Sequence, residues 1–148
     1  MRKGLAIVCL GLLAAMPLPS LAQDVREVIP MPPEVQRDML IAMRDHLIVL
    51  DTILSDVATE RYSEAARMAE ERLRASPFDP AKEAEFVTYM TGEMKESDQA
   101  LRQSAKGLAA AIRRLDNDRS FAASRGVSAA VSNVTAICVN CHTRNRLR

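Results

Sequence analysis

Residues Ser120 to His142 read SFAASRGVSAAVSNVTAICVNCH, and within them Val127, Val131, Val134, Cys138 and Cys141 recur four, three, four and three positions apart. That rhythm is one face of an α-helix. The stretch closes on Cys138-Val139-Asn140-Cys141-His142, the C-x-x-C-H spacing that attaches a c-type haem. The chemistry requires that spacing: two thiols add to the two vinyl groups of one porphyrin, and the next imidazole reaches the iron. Cysteines three apart on a helix point to one side. His142 then follows as proximal axial ligand. Because the two cysteines continue the apolar face begun by Val127, the porphyrin is expected to enter the protein interior.

Other uses of the motif fit the chain less well. A structural zinc site takes four ligands, and beyond Cys138, Cys141 and His142 the remaining candidate is His46, far away in sequence. A dithiol redox pair sits at a helix start, where the positive end of the dipole lowers the thiol pKa; here the motif ends a helix. The chain has three cysteines, and the third, Cys9, lies in a segment expected to be removed.

That segment is residues 1–22. Met1-Arg2-Lys3 is a positive start, Gly4 to Met16 an apolar run, and Ser20-Leu21-Ala22 a small-residue close, the layout of a secretory signal peptide cleaved after Ala22. The run is short for a bilayer span, and no comparable stretch follows. Residues 23–148 are therefore expected to form one exported, soluble domain in the periplasm, the compartment where c-type haem is attached. Losing Arg2 and Lys3 leaves 18 basic and 19 acidic residues. That balance argues against nucleic acid as a partner. Arg144, Arg146 and Arg148 form a local basic patch, suited to docking a redox partner or simply to a helix C-terminus.

The rest of the mature chain is rich in Ala, Leu, Met, Glu and Arg and shows no strand-like alternation. Pro30, Pro32 and Pro33, then Pro77 and Pro80, then Asp116-Asn117-Asp118 divide it into four helical stretches. The predicted fold class is all-α, an antiparallel four-helix bundle with covalently bound haem. The first helix is expected over Glu34–Ala58, with a seam of Leu40, Met43, Leu47, Leu50, Leu54 and Val57. The second runs near Ser63–Ala75, capped by Ser63, with Ala66, Ala69 and Leu73 inside. A third, irregular around Thr91-Gly92, carries Met94, Leu101, Ala105, Leu108, Ile112 and Leu115.

These residues resemble the class II cytochromes c, the cytochrome c-prime family, whose members are exported four-helix bundles with the haem motif close to the C-terminus. The resemblance covers most of the mature chain. It rests on Cys138-Val139-Asn140-Cys141-His142, on an arginine four residues after the histidine (Arg146), and more loosely on Met39-Leu40-Ile41-Ala42-Met43-Arg44-Asp45-His46. Members often carry an aromatic residue where this chain has Asn145. The resemblance implies that one first-helix position decides the sixth iron site. An apolar side chain there leaves iron open to small gases; a methionine closes it and raises the potential. Alignment places Leu40 at that position, a one-turn slip offers Met43 as distal ligand, and a shift of one residue offers Met39. Each methionine has core filling as its plain alternative, and His46, off the expected seam, reads as a partly exposed helix residue. Arg146, one turn beyond His142, is placed either against the haem edge or in solvent.

The expected function is carriage of electrons by one haem c, held by Cys138 and Cys141, with His142 on iron and periplasmic redox proteins as partners. The alternative is a five-coordinate haem protein binding gases such as NO or CO, with Leu40 guarding the open site. No catalytic dyad or triad is evident, so the chain does not read as an enzyme. Apolar flank residues Ile41, Ile48 and Ile53 leave room for a homodimer.

Overall fold

The computed structural model describes residues 24–76 and 78–148. The signal-peptide reading of residues 1–22 lies outside the described residues. Helix dominates throughout: α1 (Pro33–Ala58), α2 (Tyr62–Met68) continued by a π-helical turn (Ala69–Leu73), α3 (Pro80–Tyr89), α4 (Gly92–Asn117) and α5 (Phe121–Arg144). The fold is all-α apart from two three-residue strands, β1 (Glu27–Ile29) and β2 (Asn145–Leu147). Among the described residues, no helix is long and apolar enough to cross a membrane.

Local chemistry sets the helix ends. Pro33 opens α1, where its missing N–H costs nothing and its fixed φ suits the first turn. Asp79 caps α3, its carboxylate accepting from the backbone N–H groups of Ala81 and Lys82 at 3.0 Å, with Pro80 next. Thr91 caps α4 through Met94 N–H at 3.2 Å, which is why the third stretch breaks at Thr91-Gly92. Ser120 caps α5 through Ala123 N–H at 3.1 Å. Ser63, expected as a cap, sits inside α2 instead; Arg61 precedes that helix.

The end of α1 is unusual. Glu60 has φ of 60°, the left-handed position that glycine usually fills. Arg61 N–H bonds to Asp56 O at 2.8 Å and Glu60 N–H to Val57 O at 3.2 Å, the two bonds of a Schellman motif. In place of the customary apolar contact, Arg61 Nε donates to the buried Asp56 carboxylate at 3.0 Å.

Two clusters make up the interior. The larger joins Val49 and Ile53 of α1, Ala65, Ala66 and Ala69, then Leu108, Ala109 and Ile112 of α4, and Val127 and Val134 of α5. Alanines on α2 and α4 let those helices approach closely; α4 and α5, linked by a short turn, form the most extensive pair. The smaller cluster holds Ile29, Met31, Val35, Met39, Phe86 and Met94, with Met43 and Cys141 packed against it. Between these, α1 packs on α2 and the π turn, but α1 and α5 barely touch.

The seam predicted for α1 is rotated by about one residue. Met39, Ala42, Val49, Ile53 and Asp56 are buried, whereas Leu40, Leu47 and Leu54 face outward, Leu47 being 69% exposed. This helix carries two parallel apolar stripes. The bulkier leucine stripe looks more core-like, yet the stripe containing alanine, histidine and aspartate is the one that packs.

Parallel pairing of β1 with β2 sets Glu27 opposite Asn145, Val28 opposite Arg146 and Ile29 opposite Leu147. Met31 N–H to Arg148 O and Arg148 N–H to Ile29 O, each 3.2 Å, extend it. Three residues per strand are too few for alternation to show in sequence.

Replacing Asp56 with alanine removes the carboxylate paired with Arg61 at the end of α1 and leaves the exposed guanidinium to water. Urea unfolding is expected to show a loss of about 1 kcal/mol; an unchanged midpoint would mean the pair contributes nothing.

Candidate haem site

Cys138, Cys141 and His142 occupy the last two turns of α5. The rotation of that helix is set upstream, where Val127 and Val134 are buried against the larger cluster. Four and seven residues beyond Val134 stand Cys138 and Cys141, and Cys141 packs against the methionine-rich cluster. Both thiols are free and half-buried; His142 is exposed. Burial pushes the Cys138 thiol above its ordinary value. It does the same to Cys141, partly offset by the Asn145 amide. A thiol held protonated at the negative end of a helix is a poor redox nucleophile. That geometry works against dithiol exchange and suits sulfurs destined for apolar thioether bonds.

The structure brings the two halves of the expected site together unevenly. Met39 is buried and Met43 half-buried in the same cluster as Cys141. Leu40 is not there: it lies on the outward stripe of α1, 41% exposed. The inner-seam position expected for it is therefore corrected, because a one-residue rotation turns it about 100° from Met39. Arg146 is also displaced. The helix ends at Arg144, so Arg146 lies in β2 rather than one turn beyond His142, its Nε 3.5 Å from Asp24 Oδ2. The basic patch is partly neutralised as well, since Arg144 pairs with Glu93.

His46, on the flank of the inner stripe of α1, is partly exposed, as expected. Desolvation lowers its pKa, opposed by Asp45 and Asp98 and reinforced by Arg102 of α4. No group of three or more His, Cys, Asp or Glu that could hold a metal ion occurs among the described residues. The zinc arrangement through His46 therefore does not assemble.

The N-terminal segment adds contacts that sequence reading missed. Arg26 holds the Asp24 carboxyl well below the usual range through a side-chain hydrogen bond. Arg26 Nη1 also reaches the His142 carbonyl at 3.5 Å. No spacing rule links Asp24 and Arg26 to residues more than a hundred positions away. A groove of about 400 Å³ lies between α4 and α5, lined by Glu93, Ser97, Ala100, Ala136, Ile137 and Asn140, and neither thiol borders it.

The residues fit a covalently attached porphyrin on physical grounds. Two free thiols share one side of a helix, an exposed imidazole follows, and a thioether-rich apolar cluster lies where α1 and α5 stand apart. A buried amide oxygen beside the second cysteine also lacks a donor (Asn145 Oδ1). No family model, curated protein or solved structure matches this chain.

A depressed histidine pKa makes stability pH-dependent. Above the ordinary value near 6.5, His46 is neutral in both the folded and unfolded chain. As pH falls below it, the unfolded chain takes up the proton first, so stability falls until the folded pKa is passed. Thermal unfolding at pH 7.5 and pH 5.5 is expected to show a smaller acid-induced drop in His46→Gln than in the native protein; an identical drop would remove His46 as its source.

Proposed function

We propose that this chain is an exported, periplasmic c-type haem protein that carries single electrons between partner proteins. Its four long helical segments close as an antiparallel bundle around one haem c. Cys138 and Cys141 hold the ring and His142 is the proximal ligand. The observation that carries the proposal is the placement of C-x-x-C-H in the last turns of α5, with both thiols half-buried and Cys141 packed against the methionine-rich cluster. Bound there, the haem supplies a one-electron couple at iron.

The chain's own residues would do the rest. The two thiols fix the ring's position, and His142 gives the iron a neutral nitrogen. Val35, Met39, Phe86 and Met94, buried together, would exclude water around the haem and so tune its potential through burial. Met31, Met39, Met43, Met90 and Met94 all bring thioethers to this cluster, and of these Met39 and Met43, one turn apart on α1, are the ones that would supply a second ligand to the iron. Their position favours electron carriage over gas binding, since Leu40, the residue that would guard an open site, faces outward.

The chain exported with the haem-attachment machinery is expected to be coloured, with the mass of one haem added, and its reduced spectrum is expected to be low-spin and unmoved by carbon monoxide. Met39→Ala or Met43→Ala, whichever removes the ligand, should convert it to a high-spin form that carbon monoxide shifts. A native spectrum that already shifts would give the gas-binding reading precedence, and a colourless product would end the proposal.

Of the flank residues expected to leave room for a homodimer, Ile41 and Ile48 are exposed but Ile53 is fully buried; with Leu40, Leu47 and Leu54 the exposed pair form an outward apolar stripe on α1 of the kind that marks a protein contact. We assign it to a second copy of the chain. Sedimentation should give a dimer for the native protein and a monomer for Leu47→Lys with Ile48→Lys; a native monomer at all concentrations tested would dismiss the assignment.

A further inference from the structure

The ten-residue helix α3 is attached to the protein differently from the others. α1, α2, α4 and α5 follow one another in close backbone packing, each on at least one neighbour, whereas α3 makes only scattered backbone approaches to the rest. Phe86 is its one buried residue. That ring enters the methionine-rich cluster and packs on Phe78, with 4.4 Å between ring centroids. Two ion pairs add to this anchor. Lys82 Nζ meets Asp38 Oδ2 of α1 at 2.6 Å, and Arg102 Nη2 of α4 meets Glu83 Oε1 at 2.6 Å. All four charged side chains reach water, and pairs of that kind hold weakly.

Both ends of α3 are suited to movement as one piece. Its start is capped from within, since the Asp79 carboxylate accepts from the N–H groups of Ala81 and Lys82. After its end, Met90 and Thr91 are extended, with ψ of 135° and 165°, and Thr91 caps α4 rather than α3. Rotation about this joint costs neither helix its cap. What α3 covers is the cluster that also holds Met39, Met43 and Cys141.

Resting on the haem reading above, we infer that α3 is a lid: it swings away from the methionine-rich cluster and admits a small ligand to the iron while α1, α2, α4 and α5 stay packed. Phe86 is the latch, and the pairs of Lys82 and Glu83 set how often it opens. Lids of this kind are drawn from the least stable part of a fold.

Hydrogen exchange on the exported holoprotein tests the lid. A detached ten-residue helix is marginal in water, so the α3 amides are expected to exchange through local opening, faster than the α4 amides around Leu108 and almost independently of low urea. Exchange in α3 as slow as in α4, with the same steep dependence on urea, would overturn the lid. Stopped-flow binding of imidazole to the oxidised iron, followed in the haem spectrum, tests admission. Lys82→Gln with Glu83→Gln removes both pairs and is expected to speed α3 exchange and imidazole binding by the same factor, about 3–30-fold. Asp56→Ala is the control, since it weakens the whole fold without touching the lid contacts and should move neither. An imidazole rate unmoved in the double variant, or raised as much by Asp56→Ala, refutes admission through the lid. Should the double variant not fold, added salt screens the same pairs in the native protein, and the same joint acceleration is required. A colourless native chain sinks the haem reading and the admission step together, leaving exchange to decide whether α3 opens; a coloured one that fails the imidazole test sinks the admission step alone.

Discussion

The rotational setting of α5 is the constraint on which the rest depends. Val127 and Val134 lock that helix against the α4 residues of the larger cluster, and a helix turns by about 100° per residue. Seven residues after Val134, two full turns, the same face must still point inward, and there Cys141 stands. A slip of one residue would carry both thiols sideways and bring His142 toward the interior. The valines are thus as much a part of the site as the cysteines, although they lie a turn or more away.

The interior divides its labour by residue type. Alanine and branched aliphatic side chains fill the region where α2, α4 and α5 converge, giving short interhelical distances and little freedom. Methionines gather in the other region, where α1 and α5 are held apart. Methionine is unbranched and polarizable and fills irregular space without imposing a shape. A cluster of that kind can re-form around a large flat group, while the alanine-rich region keeps the helices in register.

Much of this was legible in the sequence, for identifiable reasons. The seam of α4, from Met94 to Leu115, and the inward residues of α2 were readable because each helix has one apolar face; all are buried. The break at Thr91-Gly92 and the start of α5 at Ser120 followed from capping chemistry. The thiols were placed on the inner side of α5 by simple periodicity. What failed was α1, where two apolar stripes compete and only the surrounding helices decide between them. That one-residue error turned Leu40 off the inner face of α1, while His46 stays partly exposed. Arg146 failed differently, since its place depends on a strand pairing with residues near the start of the described chain, and local rules contain no such information.

The pairing of β1 with β2 has a consequence for the order of assembly. Its two strands come from opposite extremes of the described chain, so the loop they close is nearly as long as the domain. In a chain made from its N-terminus, residues 27–29 are available early and stay unpaired until residues 145–147 follow. Until that moment the end of α5 that carries Cys138 and Cys141 lacks its tether. Docking of the early strand is then a latch that closes only once nearly the whole domain has been made.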